Sequence, residues 1–273
     1  MRKRYGIILV IAGLFSLSAS AADKLIALTF DDGPRPYVLF GVKTPRPLPG
    51  LLDVLDTNQV KATFFVVGWR LTPKTWGNVQ HETNIGMTCL EAIEQVIKRG
   101  HEIEDHTFSH IELAGAEKRR GEPWVVEDVE HAARLIKGVT GTQPKYLRPP
   151  DWILPDDARR DLERHGYRVL TISSENPVSQ RDVNSLDYLC AGAHPSGCPK
   201  PSLPAAVLRQ IERREKQGVY THILAFHELS STTAILPQLI GSLKERGYRF
   251  VTLDEYMNQV AGKPVKVATR SKP

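Results

Sequence analysis

Two short stretches of the sequence concentrate side chains that could carry out hydrolytic chemistry. The first holds adjacent carboxylates, Asp31 and Asp32, directly after an apolar run and before a Gly-Pro turn. The second holds two histidines, His106 and His110. Two histidines and one carboxylate are typical ligands of a hydrolytic metal that keeps an open position for water. Taken singly, each stretch also fits a plainer interpretation, an Asp-Asp-Gly-Pro turn or a histidine pair that binds nothing.

The elements that must position these side chains can be inferred from the surrounding pattern. Asp31 and Asp32 end a strand predicted over 24–30, and neighbouring residues of a strand point to opposite sides. The two carboxylates could therefore take different roles. Residues four apart share one face of a helix, so we expect His106 and His110 to lie on one helical turn and to share a metal.

Short β-rich runs alternate along the chain with stretches of helical period. This pattern predicts an α/β fold, a distorted or incomplete (β/α) barrel of about seven units, with an open doubly wound sheet as the alternative. Loops are expected over 35–48, 70–87 and 174–203. Strands are predicted over 24–30, 62–67, 101–105, 145–147, 168–172, 222–226 and 249–252, and helices over 49–57, 89–99, 124–139, 156–165, 204–217 and 232–246.

The N-terminal residues have the three-part layout of a secretory signal peptide. A basic start precedes an apolar run over 5–17, and small residues follow it. That run is shorter than the ~18 residues that a membrane-spanning helix needs. We expect a signal peptide over 1–21, export to the periplasm or outside the cell, and no stable membrane insertion after cleavage. A single domain over 22–260 and a polar tail over 261–273 would follow.

The charge balance gives no reason to expect a nucleic-acid partner. The chain of 273 residues has 36 Lys and Arg against 31 Asp and Glu, a net charge of +5. The expected signal peptide carries three of the basic residues and no acidic one, which leaves 33 against 31, or +2. Much of the basic excess therefore belongs to the leader and not to a binding surface.

The cysteine content favours one disulfide in an exported protein. Cys190 and Cys198 bracket a short loop rich in Gly, Pro and Ser, and we expect them to pair. Cys89 is then expected to be a buried small hydrophobic side chain. No C-x-x-C spacing is present, so a zinc cluster built from cysteines is not expected.

Four segments in order resemble the motifs of the polysaccharide deacetylase family, the NodB-homology domain. Residues 29–34 (TFDDGP) match its first motif, and residues 106–110 (HTFSH) match its His-(Ser/Thr)-x-x-His motif. Residues 147–150 (LRPP) resemble the third motif and residues 223–227 (ILAFH) the fifth. The resemblance covers most of the chain, from about Leu25 to Tyr256.

The resemblance implies a metal site and a catalytic base. Asp32, His106 and His110 would bind a divalent metal, with zinc as the best fit. Asp31 would be the general base that takes a proton from the attacking water, and Arg148 would keep Asp31 ionised and oriented. The chemistry is sound, because a divalent metal activates water and a neighbouring cation depresses the pKa of a carboxyl group. Arg148 could instead be an ion pair at the barrel rim without a catalytic duty.

The resemblance also implies an acid and a substrate pocket. His227 would protonate the leaving amine or alkoxide, and imidazole titrates in the range that this step needs. A lone histidine at the end of a strand is, however, often structural. Leu224 would help to line a small pocket for the acetyl methyl group. Trp152, Trp69 and Trp76 are candidate platforms for a sugar ring, or else anchors of their loops.

The sequence departs from the family at the fourth motif. That motif normally supplies an Asp and a Trp after the strand that follows the third motif. Residues 170–177 (LTISSENP) contain neither, and Glu175 is the one acidic residue there that could replace the Asp. The departure puts the substrate, and the activation of His227, in doubt.

The expected activity is the metal-dependent removal of acetyl groups, from an amide or an ester, on a carbohydrate such as an amino-sugar polymer or a cell-wall glycan. An acetylated glycan is thus the expected partner. Hydrolysis of an amide on a non-polysaccharide substrate is an alternative, because barrel and metal do not fix the acyl carrier. The divergent fourth motif leaves a third hypothesis, a carbohydrate-binding protein of the same fold whose catalytic site has lapsed.

Overall fold

The computed structural model describes residues 24–41, 49–72, 86–171, 182–190 and 197–260. The predicted signal peptide over 1–21 and the tail over 261–273 lie outside this range, as do parts of the three predicted loops. Among the described residues, no helix is long and apolar enough to span a membrane.

The described residues form one sheet of eight strands in which all the recorded pairings are parallel. The order is β5-β4-β3-β2-β1-β7-β6, and β8 also pairs with β1. The end strands β5 and β6 do not pair among the described residues, so the barrel is incomplete, as predicted. The strands are β1 (Leu25–Gly33), β2 (Thr63–Val66), β3 (Glu102–Asp105), β4 (Tyr146–Leu147), β5 (Arg168–Val169), β6 (Asp182–Asn184), β7 (Thr221–His227) and β8 (Arg249–Val251).

Helices connect the strands and cover the sheet. The first four are α1 (Pro36–Leu39), α2 (Leu51–Thr57), α3 (Cys89–Lys98) and α4 (Leu113–Arg120). The others are α5 (Glu122–Thr140), α6 (Asp156–Arg164), α7 (Leu203–Glu215), α8 (Ser230–Glu245) and α9 (Leu253–Val260). The capping signals act locally, since α3 begins with a capping box made by Thr88 and Glu91.

Strand β1 runs through the centre of the sheet and packs on both sides. Ile26, Leu28 and Phe30 belong to the main hydrophobic cluster, which includes residues of α2, α3, α7 and α8. Leu25 and Ala27 point the other way and pack with residues of α9. The alternation continues along the strand, so Thr29 and Asp31 share the side of Leu25 and Ala27 at its carboxyl end.

The structure contains elements that the sequence pattern did not predict. Strand β6 lies in the stretch expected to be a loop over 174–203, and three residues are too few for a periodic signal. Its strand conformation depends on pairing with β7. Helix α4 has few apolar residues, and its N-terminus is capped by the Glu112 side chain, which accepts a hydrogen bond from the Gly115 N–H.

The cysteines follow the prediction in one respect and depart from it in another. Cys190 and Cys198 form a disulfide with a Cα–Cα distance of 4.5 Å. Cys89 is only partly buried at the start of α3, and its thiol donates a hydrogen bond to the Pro34 carbonyl. The expectation that Cys89 is a buried hydrophobic side chain is therefore wrong. Its thiol forms a polar contact because the N-terminal end of α3 lies next to the turn after β1.

Candidate metal centre and catalytic pocket

Asp32, His106 and His110 converge on one point at the carboxyl edge of the sheet. Their ligand atoms all lie within 4.8 Å of one another. Asp32 Oδ1 is 3.3 Å from His106 Nε2 and 3.0 Å from His110 Nε2. Burial would raise the pKa of Asp32, but hydrogen bonds and charge from the two histidines outweigh it and hold this pKa well below its usual range. The carboxylate is thus ionised and ready to bind a cation.

The donor set fits a divalent metal, and its second shell supports this. His106 Nδ1 lies 2.5 Å from the Arg148 carbonyl oxygen. A carbonyl only accepts, so the proton of a neutral His106 lies on Nδ1 and Nε2 keeps its lone pair. A ring held in this way by a backbone carbonyl is the usual arrangement of metal-binding histidines.

The two histidines do not lie on a helical turn, contrary to the prediction. Residues 106–110 form a loop in which Thr107 has φ of 67° and His110 has φ of 53°. The backbone N–H of Thr107 donates to Asp105 Oδ1 at 2.7 Å, and that of Phe108 donates to the Asp128 carbonyl at 3.2 Å. One local and one long-range hydrogen bond, and not helical spacing, therefore bring the two rings together.

The end of β1 gives its two carboxylates different directions. The register of β1 against β2 shifts between Phe30 and Gly33, and Asp32 has φ of 70°. A bulge of this kind re-aims a side chain. Asp31 stays in regular register opposite His227 of β7, whereas Asp32 turns toward the histidines. The sequence prediction of separate roles for the two carboxylates therefore has a geometric basis.

Arg148 connects the predicted base with the metal site. Its side chain is fully buried, and Nη1 donates to Asp31 Oδ1 at 2.6 Å and to Thr29 Oγ1 at 2.9 Å. The guanidinium lies between the rings of Phe65 and Trp152, 4.1 and 4.4 Å from their centroids. The two hydrogen bonds of the buried guanidinium therefore fix the direction of the Asp31 carboxylate.

His227 ends β7 and is held by a buried carboxylate that the sequence analysis missed. His227 Nδ1 lies 2.7 Å from Asp187 Oδ1, and the backbone N–H of His227 donates to Asp187 Oδ2 at 2.8 Å. Burial alone would lower the pKa of His227, but this hydrogen bond and the charges of Asp31, Asp187 and Asp32 raise it to about 9. His227 is therefore a protonated donor at neutral pH, with Nε2 left for a substrate.

Asp187 and Tyr188 occupy the place that the fourth motif was expected to fill. They follow β6, whereas the sequence analysis looked for an Asp and a Trp after β5 and considered Glu175, which lies outside the described residues. Tyr188 presents its ring edge-on to His227 at 5.4 Å between centroids. An acidic residue followed by an aromatic one was the available signal, but β6 was too short to mark the register.

A further acidic residue, Glu228 directly after β7, packs against the turn between β1 and α1. Glu228 is fully buried, and its Oε2 accepts a hydrogen bond from the Arg35 backbone N–H at 2.7 Å. A Cβ atom at Gly33 would lie 1.7 Å from Glu228 Oε1, so any side chain there would force Glu228 to move. Arg35 also reaches Asp32 Oδ2 at 3.4 Å. The glycine of the first motif is thus needed for packing at this edge.

Asp31, His227 and the three candidate metal ligands line one cavity of about 560 Å³. Trp152 lines it, together with residues from several strand ends. Leu224 does not line it, because this side chain is fully buried on the other side of β7, in the main hydrophobic cluster with Phe226. Trp76 lies outside the described residues, and Trp69 lines a different cavity. The lining residues are Asp31, Asp32, Arg35, His106, His110, Pro149, Asp151, Trp152, Asn184, Tyr188, His227 and Leu229.

Known proteins resemble this chain in sequence. A peptidoglycan-N-acetylglucosamine deacetylase from Bacillus cereus is 25% identical over 239 residues, which cover 86% of this chain and 89% of that protein. A chitin deacetylase from Colletotrichum lindemuthianum is 26% identical over 236 residues, which cover 85% of this chain and 78% of that protein.

Solved structures share the fold. An acetyl xylan esterase of family 4 from Clostridium thermocellum, solved in complex with a cobalt ion, superposes with a TM-score of 0.60 at 26% identity and covers 89% of this chain and 94% of that one. The model of the family described as polysaccharide deacetylase matches residues 18–170, more than half of the chain. The protein is therefore a member of the polysaccharide deacetylase family.

Proposed function

We propose that this chain is an exported, metal-dependent hydrolase that removes acetyl groups from a carbohydrate. The observation that carries the proposal is the convergence of Asp32, His106 and His110 beside a base held by Arg148 and an acid held by Asp187. Relatives described as a peptidoglycan-N-acetylglucosamine deacetylase, a chitin deacetylase and a bifunctional xylanase/deacetylase support a glycan substrate. The basic and apolar N-terminal residues support export.

Asp32, His106 and His110 would hold the metal. One carboxylate and two imidazoles suit zinc, and the related acetyl xylan esterase was solved with cobalt. A divalent ion bound there would lower the pKa of a coordinated water and polarise the acetyl carbonyl.

Asp31 is proposed as the general base. Its position at the cavity, opposite His227 and beside Asp32, and its contact with the buried guanidinium of Arg148 support this role. Arg148 also fixes its direction, because Nη1 donates to both Asp31 and Thr29. Asp31 would take the proton of the attacking water.

His227 is proposed as the general acid. Expulsion of an amine or alkoxide requires a proton, and His227 is kept protonated by Asp187. Nδ1 is occupied by that carboxylate, so the proton is delivered from Nε2. Trp152, at the mouth of the cavity, is proposed to contact the sugar ring.

The hypothesis of a lapsed carbohydrate-binding protein rested on the divergent fourth motif. Asp187 supplies the carboxylate that was sought there, so that ground for the hypothesis is gone. Deacylation of a non-polysaccharide substrate remains a distinct outcome of the experiment that follows.

The experiment combines metal analysis with acetate release. Purified protein should contain about one divalent ion, and His110→Ala should lose most of it, because one of three ligands is gone. His165→Ala, at an exposed position after α6, is the matched control and should keep its metal. Acetate should appear from acetylated amino-sugar oligomers or xylan only when metal is present. Wild-type metal content in His110→Ala, or acetate from none of the glycans, would refute the proposal.

A further inference from the structure

A second cavity, of about 530 Å³, lies beside the segment that carries the metal-binding histidines. Phe108 and Ser109 line it, whereas His106 and His110 line the catalytic cavity. The two cavities share no lining residue. The mechanism proposed above uses none of the residues of the second cavity.

The lining combines flat aromatic surfaces with hydrogen-bonding groups. Trp69 and Trp124 are half-buried, so part of each indole is accessible. Arg120 and Glu127 are exposed at the rim, and Asp128 is buried below them. An apolar ligand would desolvate the carboxylates without replacing their hydrogen bonds, which is unfavourable. An anionic ligand would meet two carboxylates and only one guanidinium.

Hydrogen bonds hold the cavity in one shape. The backbone N–H of Trp69 donates to the Phe108 carbonyl at 3.1 Å. Ser109 donates from its backbone N–H and its hydroxyl to Asp128 Oδ2, at 3.2 and 3.1 Å. The Phe108 ring stacks on His131 with 4.0 Å between centroids and 15° between planes. The Arg120 guanidinium lies 4.5 Å from the centre of the Trp124 ring. A preorganised cavity loses little free energy to ordering when a ligand binds.

We propose that this cavity is a second sugar subsite, which binds a neutral pyranose unit of the same glycan whose acetyl group is removed at the metal site. A pyranose ring has an apolar face that fits an indole and hydroxyl groups that fit carboxylates and a guanidinium. The proposal rests on the proposed function for the identity of the glycan. It deepens that function, because it assigns the enzyme a preference for oligomers over single sugars.

The proposed subsite is linked to the catalytic site through the backbone of residues 106–110. Phe108 and Ser109 lie between the two metal-binding histidines, and Asp128 of α5 anchors this segment. Binding free energy from a remote sugar unit lowers KM for long substrates and leaves the reacting groups unchanged. The effect of the subsite should therefore grow with the length of the glycan.

The first experiment measures binding without activity. The probes are the pentamer and the monomer of β-1,4-linked N-acetylglucosamine, titrated by calorimetry into metal-loaded protein that carries Asp31→Asn, so that turnover is slow during the titration. Addition of Trp124→Ala should raise Kd for the pentamer about 10-fold and leave weak monomer binding unchanged. Trp124→Phe should restore much of the affinity, because a flat ring remains. Lys137→Ala, exposed on α5 outside the cavity, is the matched control.

The second experiment separates the subsite from the proposed function. With Asp31 intact, Trp124→Ala should raise KM for the acetylated pentamer and leave kcat unchanged. Glu127→Gln provides a second variant at the exposed rim, should Trp124→Ala not fold. Wild-type pentamer affinity in both Trp124→Ala and Glu127→Gln would overturn the subsite, even if acetate release continued. Loss of affinity in these variants, with no acetate release from wild type, would retain the subsite and refute the deacetylase proposal.

Discussion

At the scale of single residues, Arg148 connects the two halves of the proposed chemistry. Its guanidinium binds Asp31, and its own carbonyl oxygen binds His106 Nδ1. A single residue, Arg148, therefore orients both the proposed base and a proposed metal ligand. Asp187 orients the proposed acid, since its two carboxylate oxygens bind the ring and the backbone N–H of His227.

Asp31→Asn and His227→Ala should keep the metal and lose activity. Each removes a proton-transfer group, and general acid–base contributions are roughly 10²- to 10⁴-fold in rate. Metal content and acetate release should be measured on the same preparations. Turnover of Asp31→Asn at the wild-type rate would contradict the mechanism even with the metal in place.

Asp187→Asn should move the basic limb of the pH–rate profile to lower pH. His227 must be protonated to act as an acid, so activity falls as the pH rises through its pKa. Asp187 raises that pKa toward about 9, and its neutral replacement removes the effect. Acetate release measured from pH 6 to pH 10 checks this, and an unmoved basic limb would show that Asp187 does not set the pKa of His227.

At the scale of elements, the carboxyl ends of β1 and β7 fit together closely. Asp31 pairs in register with His227, and Glu228, the residue after His227, packs against the turn after β1. Glu228 fills the space that a side chain at position 33 would need. The turn after β1 is therefore packed against the end of β7, which keeps the proposed base Asp31 and the proposed acid His227 at a fixed separation.

Gly33→Ala should destabilise the protein by roughly 1–3 kcal/mol, the usual cost of overpacking. The added methyl group would clash with Glu228 Oε1. The free energy of unfolding in urea measures this effect. Gly241→Ala in α8 is the matched control, because an added Cβ there meets no atom within 4 Å. Equal effects of the two substitutions would show that the turn is not tightly packed.

Replacement of both Cys190 and Cys198 by Ala should lower the free energy of unfolding by at most roughly 2–3 kcal/mol, because the closed loop is short. Cys190 ends the 3-10 helix that begins at Asp187, so kcat should also fall as Asp187 loses its anchor. Urea denaturation and acetate release measure the two effects. Mass mapping that finds both thiols free in the wild-type protein would remove the basis of this prediction.

At the scale of the whole molecule, a parallel sheet gathers distant residues at one edge. Asp31, His106, Arg148 and His227 each end or follow a different strand, β1, β3, β4 and β7. Because all these strands run in the same direction, their carboxyl ends meet at the same side. At the opposite end of β1, Leu25 and Ala27 pack against α9 and close the interior.

The stability of the folded chain should depend on pH through His222, which is remote from the site. Burial is the largest cause that lowers the pKa of His222, and the charges of Arg214 and Lys24 lower it further. The charge of Glu215 opposes them, and the resulting pKa is about 3. The unfolded chain takes up a proton below about 6.5, so the contribution of neutral His222 is present above that pH and is lost as the pH falls toward 3.

His222→Gln isolates this contribution from the other titrating groups. The free energy of unfolding of wild type relative to the variant should fall by up to about 1.4 kcal/mol per pH unit as the pH drops from about 6.5 to about 4. Urea unfolding at several pH values gives the difference. A difference that is constant over this range would show that His222 titrates normally in the folded protein.

The sequence by itself determined most of the elements and most of the candidate site residues. The seven predicted strands were found, and the clearest of them are apolar runs between turn signals, as with residues 222–226 in β7. Asp31, Asp32, His106, His110, Arg148 and His227 were identified because motif spacing is a local property of the chain. The Cys190–Cys198 pair followed from its short loop in the same way.

Only the tertiary structure decided how these residues are aimed and what supports them. The loop of residues 106–110 takes positive φ values because Asp105 and Asp128 bind its backbone, and spacing alone wrongly indicated a helix. Leu224 faces the core because of the pleat of β7, not the pocket. Asp187 reaches His227 because β6 pairs with β7, and a contact across 40 residues leaves no periodic trace in the sequence.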